Sequence, residues 1–442
     1  MFRTWLRMIV AVLLVVPAHA AANQKWVATW AQAMTSNVTP ESQGNGALRD
    51  FTLRQAVLTS VGGSQVRIRL SNYFGSKPLA IAAAHVALGA ANTQDLAHIV
   101  KASDRTLRFG GSASVVIPPG QQVTSDAVTL DVPALATVVV SLYFADDASL
   151  SDMHPMEHAA STFAVAGDAV GEKTLARRKR VSLAGADAEP HIYVLSGVDV
   201  MADSATRGIV AFGDSITDGA FASTPAKTWP GVVAALANAP GAQAPMAVVN
   251  MGISADELTT DQIGQPAAGM SGLKRFERDV IDQPGVTDVL VLLGTNDINR
   301  GIDRAGQPNG ALAGDIIASL RMLADVAHQH GLRIYLATVP PFAGFTLPGW
   351  FTPEKEAVRQ QVNRWIERDA KVDGVLPFAD ALSGTYPPAP LAALQHPLPP
   401  GMASVCAGDA GLHPNDRGYA VMGTLAYGVL SGRALHASEP CQ

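Results

Sequence analysis

The run Gly208-Ile209-Val210-Ala211-Phe212-Gly213-Asp214-Ser215-Ile216 decides how the rest of the chain is read. A short apolar run closed by glycine and an Asp-Ser pair predicts a buried strand with a serine just past its end. A strand buried on both faces belongs to a parallel sheet covered by helices. The downstream sequence keeps that rhythm. Strands are expected at Ile209–Phe212, Val248–Asn250, Val289–Leu293, Ile334–Thr338 and Val375–Phe378. Helices are expected near Pro230–Ala237, Leu273–Ile281, Leu312–His330, Pro353–Arg368 and Asp416–Leu430. Alternation of this kind predicts an α/β fold with helices on both faces of the sheet.

Upstream the texture differs. Gln65-Val66-Arg67-Ile68-Arg69-Leu70 alternates polar and apolar residues between the turn signals Gly62-Gly63 and Asn72 with Gly75. Val115–Ile117 runs into Pro118-Pro119-Gly120, and Val138–Phe144 and Ile192–Val198 are rich in β-branched and aromatic residues. Helical spacing is scarce. Residues 23–200 are therefore expected to form an antiparallel β domain of sandwich or jelly-roll type, and residues 203–435 an α/β domain. The Pro-rich stretch Tyr386–Pro400 reads as an irregular surface loop.

Composition excludes some partners. Of 442 residues, 48% are hydrophobic and 16% charged, enough for large cores, and a net charge of −6 offers no basic face for nucleic acid. The basic run Arg177-Arg178-Lys179-Arg180 reads as a solvated loop, with contact to an anionic polymer as the alternative. At the start, Arg3 and Arg7, the apolar run Met8–Val16 and Ala18-His19-Ala20 predict a signal peptide over residues 1–20, hence export to a periplasm or the medium. The rival is an uncleaved N-terminal anchor. Cys406 and Cys441 are the two cysteines, and in an oxidising compartment they are expected to pair, tying the tail to the loop before His413. No C-x-x-C spacing, and no histidine pair among His154, His158, His191, His328 and His330, suggests a metal; no metal or cofactor is expected.

The chemistry sits where strands end, since ligands of doubly wound sheets lie beyond the carboxyl ends of their strands. Ser215 is a candidate nucleophile, which needs a base within hydrogen-bond reach. The alternative is a turn or helix cap. Gly213 stands where the Gly-x-Ser-x-Gly elbow has its first glycine, but Thr217 occupies the place of the second. Asn250-Met251-Gly252-Ile253-Ser254 and Gly294-Thr295-Asn296-Asp297 follow two further strands. The N–H groups of Ser215 and Gly252 with the Asn296 amide could hold an oxyanion. Alternatively, Gly252 is a turn residue and Asn296 an N-cap. Asp214, Asn250 and Asp297 read as supporting residues, and Asp218 as a turn or cap residue. His413, before Pro414 and the Asn415-Asp416 start of the last helix, is the candidate base.

Taken together, these four blocks resemble the SGNH (GDSL-type) hydrolase superfamily over about Arg207 to Leu430. The resemblance implies a flavodoxin-like three-layer α/β/α domain. It also implies a serine ester hydrolase built on Ser215 and His413, with Ser215, Gly252 and Asn296 as oxyanion hole. Trp26–Trp30, Leu53–Leu70 and Ser71–Gly75 are similar to the β region of secreted two-domain members. The chain departs from the pattern at Ala410, where members carry an aspartate three residues before the histidine. Asp409, one residue earlier between Gly408 and Gly411, is the candidate third member, and a Ser215–His413 dyad is the rival.

Among substrates, short acyl (acetyl) esters of carbohydrates or small molecules are expected, without nucleic acid or stable membrane insertion after signal cleavage. Lipids or thioesters with longer chains, acyl transfer to an alcohol, and a catalytically weak glycan-binding protein are the alternatives. Phe342, Phe345, Trp350 and Phe351 either line the pocket or cover the core.

Overall fold

A computed structural model describes residues 23–36, 48–91, 97–155, 162–183, 191–242, 244–262, 268–303, 306–345, 347–384, 401–409, 411–435 and 440–441. The expected signal peptide at 1–20, the Pro-rich stretch 386–400 and His158 lie outside them.

Five parallel strands form the expected sheet, in the order Met246–Gly252, Arg207–Gly213, Val286–Leu292, Arg333–Ala337, Gly374–Leu376. In sequence terms the order is 2-1-3-4-5, the flavodoxin-like arrangement, which reverses direction beside Arg207–Gly213. Alternation along the strands divides the core. Val210, Val249, Val289, Val291, Ile334 and Leu336 face helices Gly272–Phe276, Ala313–Gln329 and Pro353–Arg368. Ile209, Ala211, Leu290, Leu292 and Tyr335 face helices Trp229–Ala237, Phe378–Leu382 and Asp416–Ser431. The result is three layers, α/β/α. The short helices Ser215–Asp218, Thr295–Gly301 and Phe378–Leu382 lie outside the helices expected from periodicity. Each is a turn or two long, too short for periodicity to register.

The preceding half is antiparallel β structure. One sheet runs Gln24–Ala31, Leu195–Asp203, Gly63–Asn72, Val128–Val132, with Gln121–Thr124 also on Gly63–Asn72. A second runs Thr162–Ala166, Phe51–Leu58, Thr137–Phe144, Ala83–Leu88, Arg105–Thr106. Between them lies one apolar core, including Phe51, Leu53, Ile68, Leu142, Phe144 and Val198. The basic run is a surface loop in which Arg178 pairs with Glu172 and Arg180 lies 4.7 Å over the Phe163 ring.

The two halves are joined by only Ser204, Ala205 and Thr206, between strands ending at Asp203 and starting at Arg207. Contact between them is extensive. Ala28, Ala31 and Ala33 belong to the core of the α/β half, and Ala247 to that of the β half. Met246–Gly252 is an edge strand, and its Val248 N–H donates to Ser60 Oγ of the β half at 2.9 Å, which blocks pairing with a foreign strand. Arg278 lies 4.8 Å over the Tyr73 ring and 5.5 Å over that of Phe74.

Candidate active site

Gly213 ends its strand, and helix Ser215–Asp218 begins two residues later. A Cβ on Gly213 would lie 2.0 Å from Thr217 Oγ1 and 2.6 Å from Leu292 O, so only glycine permits so tight a turn. Asp214 caps the helix through Oδ1, accepting from Ile216 N–H at 3.0 Å. The Ser215 side chain thereby stands at the carboxyl end of the sheet, at the point where strand order reverses.

Ser215 Oγ lies 2.9 Å from His413 Nε2. His413 Nδ1 lies 2.6 Å from Asp409 Oδ2. The other Asp409 oxygen accepts three backbone N–H groups, from Gly411 at 3.0 Å, Leu412 at 2.8 Å and His413 at 3.0 Å. Gly411, at φ +105°, takes the left-handed conformation that folds the loop back on the carboxylate. Burial works to raise the pKa of Asp409. The hydrogen bonds from His413 and Leu412 and the charge of the imidazole more than offset it and hold the carboxyl below the usual aspartate value. The aspartate one residue out of register is thus brought to the imidazole.

The loop carrying His413 is fixed from outside. Asn415 Oδ1 caps the last helix at Arg417 and Gly418 N–H, while Asn415 Nδ2 donates to Val405 O and Ala407 O. Cys406 and Cys441 form the expected disulfide, anchoring the tail beside this loop.

Gly252 requires a correction. Its N–H donates to Asn250 Oδ1 at 2.9 Å, so it is already committed and is not aimed at a substrate oxygen. A Cβ there would lie 2.2 Å from Asp218 N. Glycine at 252 therefore lets the second strand pack against helix Ser215–Asp218. Asn250 Nδ2 in turn donates to Thr217 O at 2.7 Å and Asp218 O at 3.2 Å, binding strand and helix together.

A residue not foreseen stands three positions on. Ala255 has φ +64°, in a turn closed by Asp256 N–H donating to Ile253 O at 3.1 Å. Its N–H has no acceptor among the described residues, and neither has that of Ser215. Ala255 is flanked by Ser254, whose Oγ donates to Asp218 Oδ2 at 3.2 Å, and Asp256, whose carbonyl accepts from Asn296 Nδ2 at 2.9 Å. Ala255 thus lies between residues tied to helix Ser215–Asp218 and to Asn296. Turn chemistry gave no signal, because the third position of such a turn calls for glycine.

Asn296 lies inside the first turn of helix Thr295–Gly301, whose cap is Gly294 at φ +122°. Asp297 accepts from Leu258 N–H, Thr259 N–H and Thr259 Oγ1 at 2.8, 2.9 and 2.7 Å, so it braces the 258–259 segment. Beneath these loops Arg275 is fully buried. It bonds Gly213 O, Met251 O and Asp256, and its guanidinium lies 4.0 Å over the Phe212 ring. One cation thus ties together the ends of the two strands that present the site.

His154, in the β half, also reaches this region. It is fully buried, with Nδ1 2.7 Å from Ala33 O and Nε2 3.1 Å from Asp218 Oδ1. Asp218 is therefore a bridge between halves rather than a simple turn residue.

Of the four aromatics after the fourth strand, Phe342 is core, 1% exposed. Phe351 packs edge-on to it, and Phe345 edge-on to Trp350. Trp350 lines a 400 Å³ hollow with Asn299, Arg300, Leu347 and Lys355. Among the described residues no group of three His, Cys, Asp or Glu could hold a metal ion, and no helix is long and apolar enough to cross a membrane.

Residues 211–421 match the GDSL-like lipase/acylhydrolase family. The solved structures similar to this chain include the aryl esterase of M. smegmatis, 17% identical with TM-score 0.39, covering 52% of this chain and 100% of that one. A lipase/acylhydrolase from Enterococcus faecalis is 22% identical with TM-score 0.36, covering 53% of this chain and 100% of its own. An acetyl xylan esterase from Geobacillus stearothermophilus is 20% identical with TM-score 0.37, covering 53% and 99% respectively. No curated protein matches the chain.

Proposed function

We propose, for a carboxylic ester hydrolase whose residues 211–421 place it in the GDSL-like lipase/acylhydrolase family of the SGNH superfamily, a reaction through an acyl-serine on short acyl esters of carbohydrates or small molecules. The observation that carries this reading is the unbroken chain from Ser215 Oγ through His413 to Asp409 Oδ2, with links of 2.9 and 2.6 Å.

In this mechanism His413 Nε2 takes the proton of Ser215 as Oγ attacks the ester carbonyl. Asp409 holds Nδ1–H, fixing the tautomer that leaves Nε2 free to accept, and stabilises the imidazolium. The oxyanion is received by Ser215 N–H, Ala255 N–H and the Asn296 amide hydrogen not given to Asp256. His413 then gives its proton to the departing alcohol, and a water deprotonated by His413 releases the acid. The predicted signal peptide and the disulfide support export.

The test is hydrolysis of p-nitrophenyl esters from acetate to palmitate by wild type and Ser215→Ala. Turnover that peaks at acetate and vanishes in the variant is expected. Wild-type turnover persisting in Ser215→Ala, or a peak at palmitate, would overturn the nucleophile or the acyl-length assignment respectively.

A further inference from the structure

Phe221 combines features that neither the fold nor the triad requires. Its backbone has φ +66°, a conformation that strains a bulky side chain. The residue is nonetheless 54% exposed, so its ring is not held there by core packing. Its segment is fastened on both sides to the last helix. Tyr419 Oη donates to Ala220 O at 2.7 Å, and Ser223 donates through N–H and Oγ to Asp416 at 2.8 and 2.6 Å. Space is also kept for it: a Cβ on Gly408 would lie 2.6 Å from Phe221 Cβ. So clamped, the ring stacks on the His413 imidazole, with centroids 5.5 Å apart and planes 23° from parallel.

From this geometry we infer that Phe221 is a specificity-determining residue for the alcohol half of the ester, selecting a leaving group that presents a flat ring. The inference rests on the esterase reading above. His413 must hand its proton to the leaving oxygen, so that oxygen sits against the imidazole, and the atoms attached to it fall beside the aromatic ring stacked there. One face of Phe221 is taken by His413. The exposed remainder offers an apolar, quadrupolar surface, which suits the C–H face of a pyranose or an aryl ring and offers nothing particular to a short alkyl chain. A strained backbone at a fixed, solvent-facing aromatic is the form that a substrate platform takes.

The experiment compares kcat/KM for three acetates differing only in the alcohol: ethyl acetate, phenyl acetate and a monoacetylated methyl xylopyranoside. Wild type is set beside Phe221→Leu, which keeps an apolar cover on His413 without a flat ring, and Phe221→Trp, which keeps the ring. Phe221→Leu is expected to lose about three- to tenfold on a ring-bearing ester, mainly through KM, with ethyl acetate nearly unchanged and Phe221→Trp close to wild type. The arms separate sources: loss on the xyloside assigns a sugar, loss on phenyl acetate alone an aryl alcohol. Equal losses on all three esters, or none, would overturn the proposal and leave Phe221 as a support for His413. A wild-type chain that turned over none of the three would sink the esterase reading itself, and the inference with it.

Discussion

Asp409 Oδ2 stands 2.6 Å from His413 Nδ1 although the two residues are four apart, because Asp409 Oδ1 gathers the N–H groups of three of the residues that follow it. In Asp409→Asn the side-chain carbonyl can keep that cradle, but the amide would turn an N–H toward Nδ1. The imidazole would then carry its proton on Nε2 and could not accept from Ser215. A fall in kcat of about two to four orders of magnitude is expected, with KM little changed. Near-normal turnover would establish the dyad instead.

The oxyanion assignment separates Asn296 from Ala255. Asn296→Ala should lower kcat by about 10²- to 10³-fold while leaving KM similar. Ala255→Gly keeps the N–H and relieves a left-handed alanine, so it should stabilise the fold by about 1 kcal/mol with activity retained. Steady-state kinetics and urea unfolding of both variants check this. Destabilisation by glycine at 255 would contradict the strain argument.

Asp214 is fully buried, and burial raises its pKa from 3.8 to about 6, against the lowering effects of the Ile216 N–H bond and the charge of His413. The folded chain therefore holds this proton more tightly than the unfolded one. The corresponding stability is complete below about pH 4 and is lost as pH rises through about 6. Relative to Asp214→Asn, which does not titrate, wild type should lose about 2 kcal/mol of unfolding free energy between pH 4 and 7. Denaturant titrations across that range decide it: parallel profiles for the two proteins would refute the assignment.

His154 and Asp218 meet across the boundary between the halves, both buried. Removing His154 takes one buried partner from Asp218, which keeps Ser254 Oγ, so His154→Ala should cost about 1–3 kcal/mol. The double variant with Asp218→Asn should cost less than the sum of the singles by about 1–3 kcal/mol. Strict additivity would mean that the contact is incidental.

Much of this was legible in the sequence, for physical reasons. Strands buried on both faces and amphipathic helices announce themselves by periodicity, so the helix at Pro353–Arg368 was placed at its observed ends. Ser215, Asn296 and His413 stand out as candidates because each follows a strand end or precedes a helix start. Gly408 and Gly411 flanking Asp409 hinted that the loop could bend. What escaped is what depends on conformation against propensity, or on contacts without local pattern. Nothing in Ser254-Ala255-Asp256 marks an alanine at positive φ, and nothing around Phe221 marks a strained ring. Gly252 was assigned to access because glycine permits it, whereas close packing on Asp218 explains it. His154 acts on a helix sixty residues downstream in a different half, a relation no spacing encodes.

The three-residue connection at Ser204–Thr206 bears on how such a protein can be rearranged. Strands on either side of it enter separate sheets, yet alanines in and just after strand Gln24–Ala31 complete the interior of the second half, and Ser60 caps its sheet edge. A hydrolase half expressed from Arg207 onward would begin with a hole where Ala28, Ala31 and Ala33 had been and with a bare strand ready to aggregate. Likewise, spacer residues added at the junction would separate surfaces that fit only in register. The β half is thus not an appendage on a tether, to be exchanged by gene fusion for another binding module. It is closer to a missing wall of the enzyme, and the two must be inherited, transplanted or redesigned together.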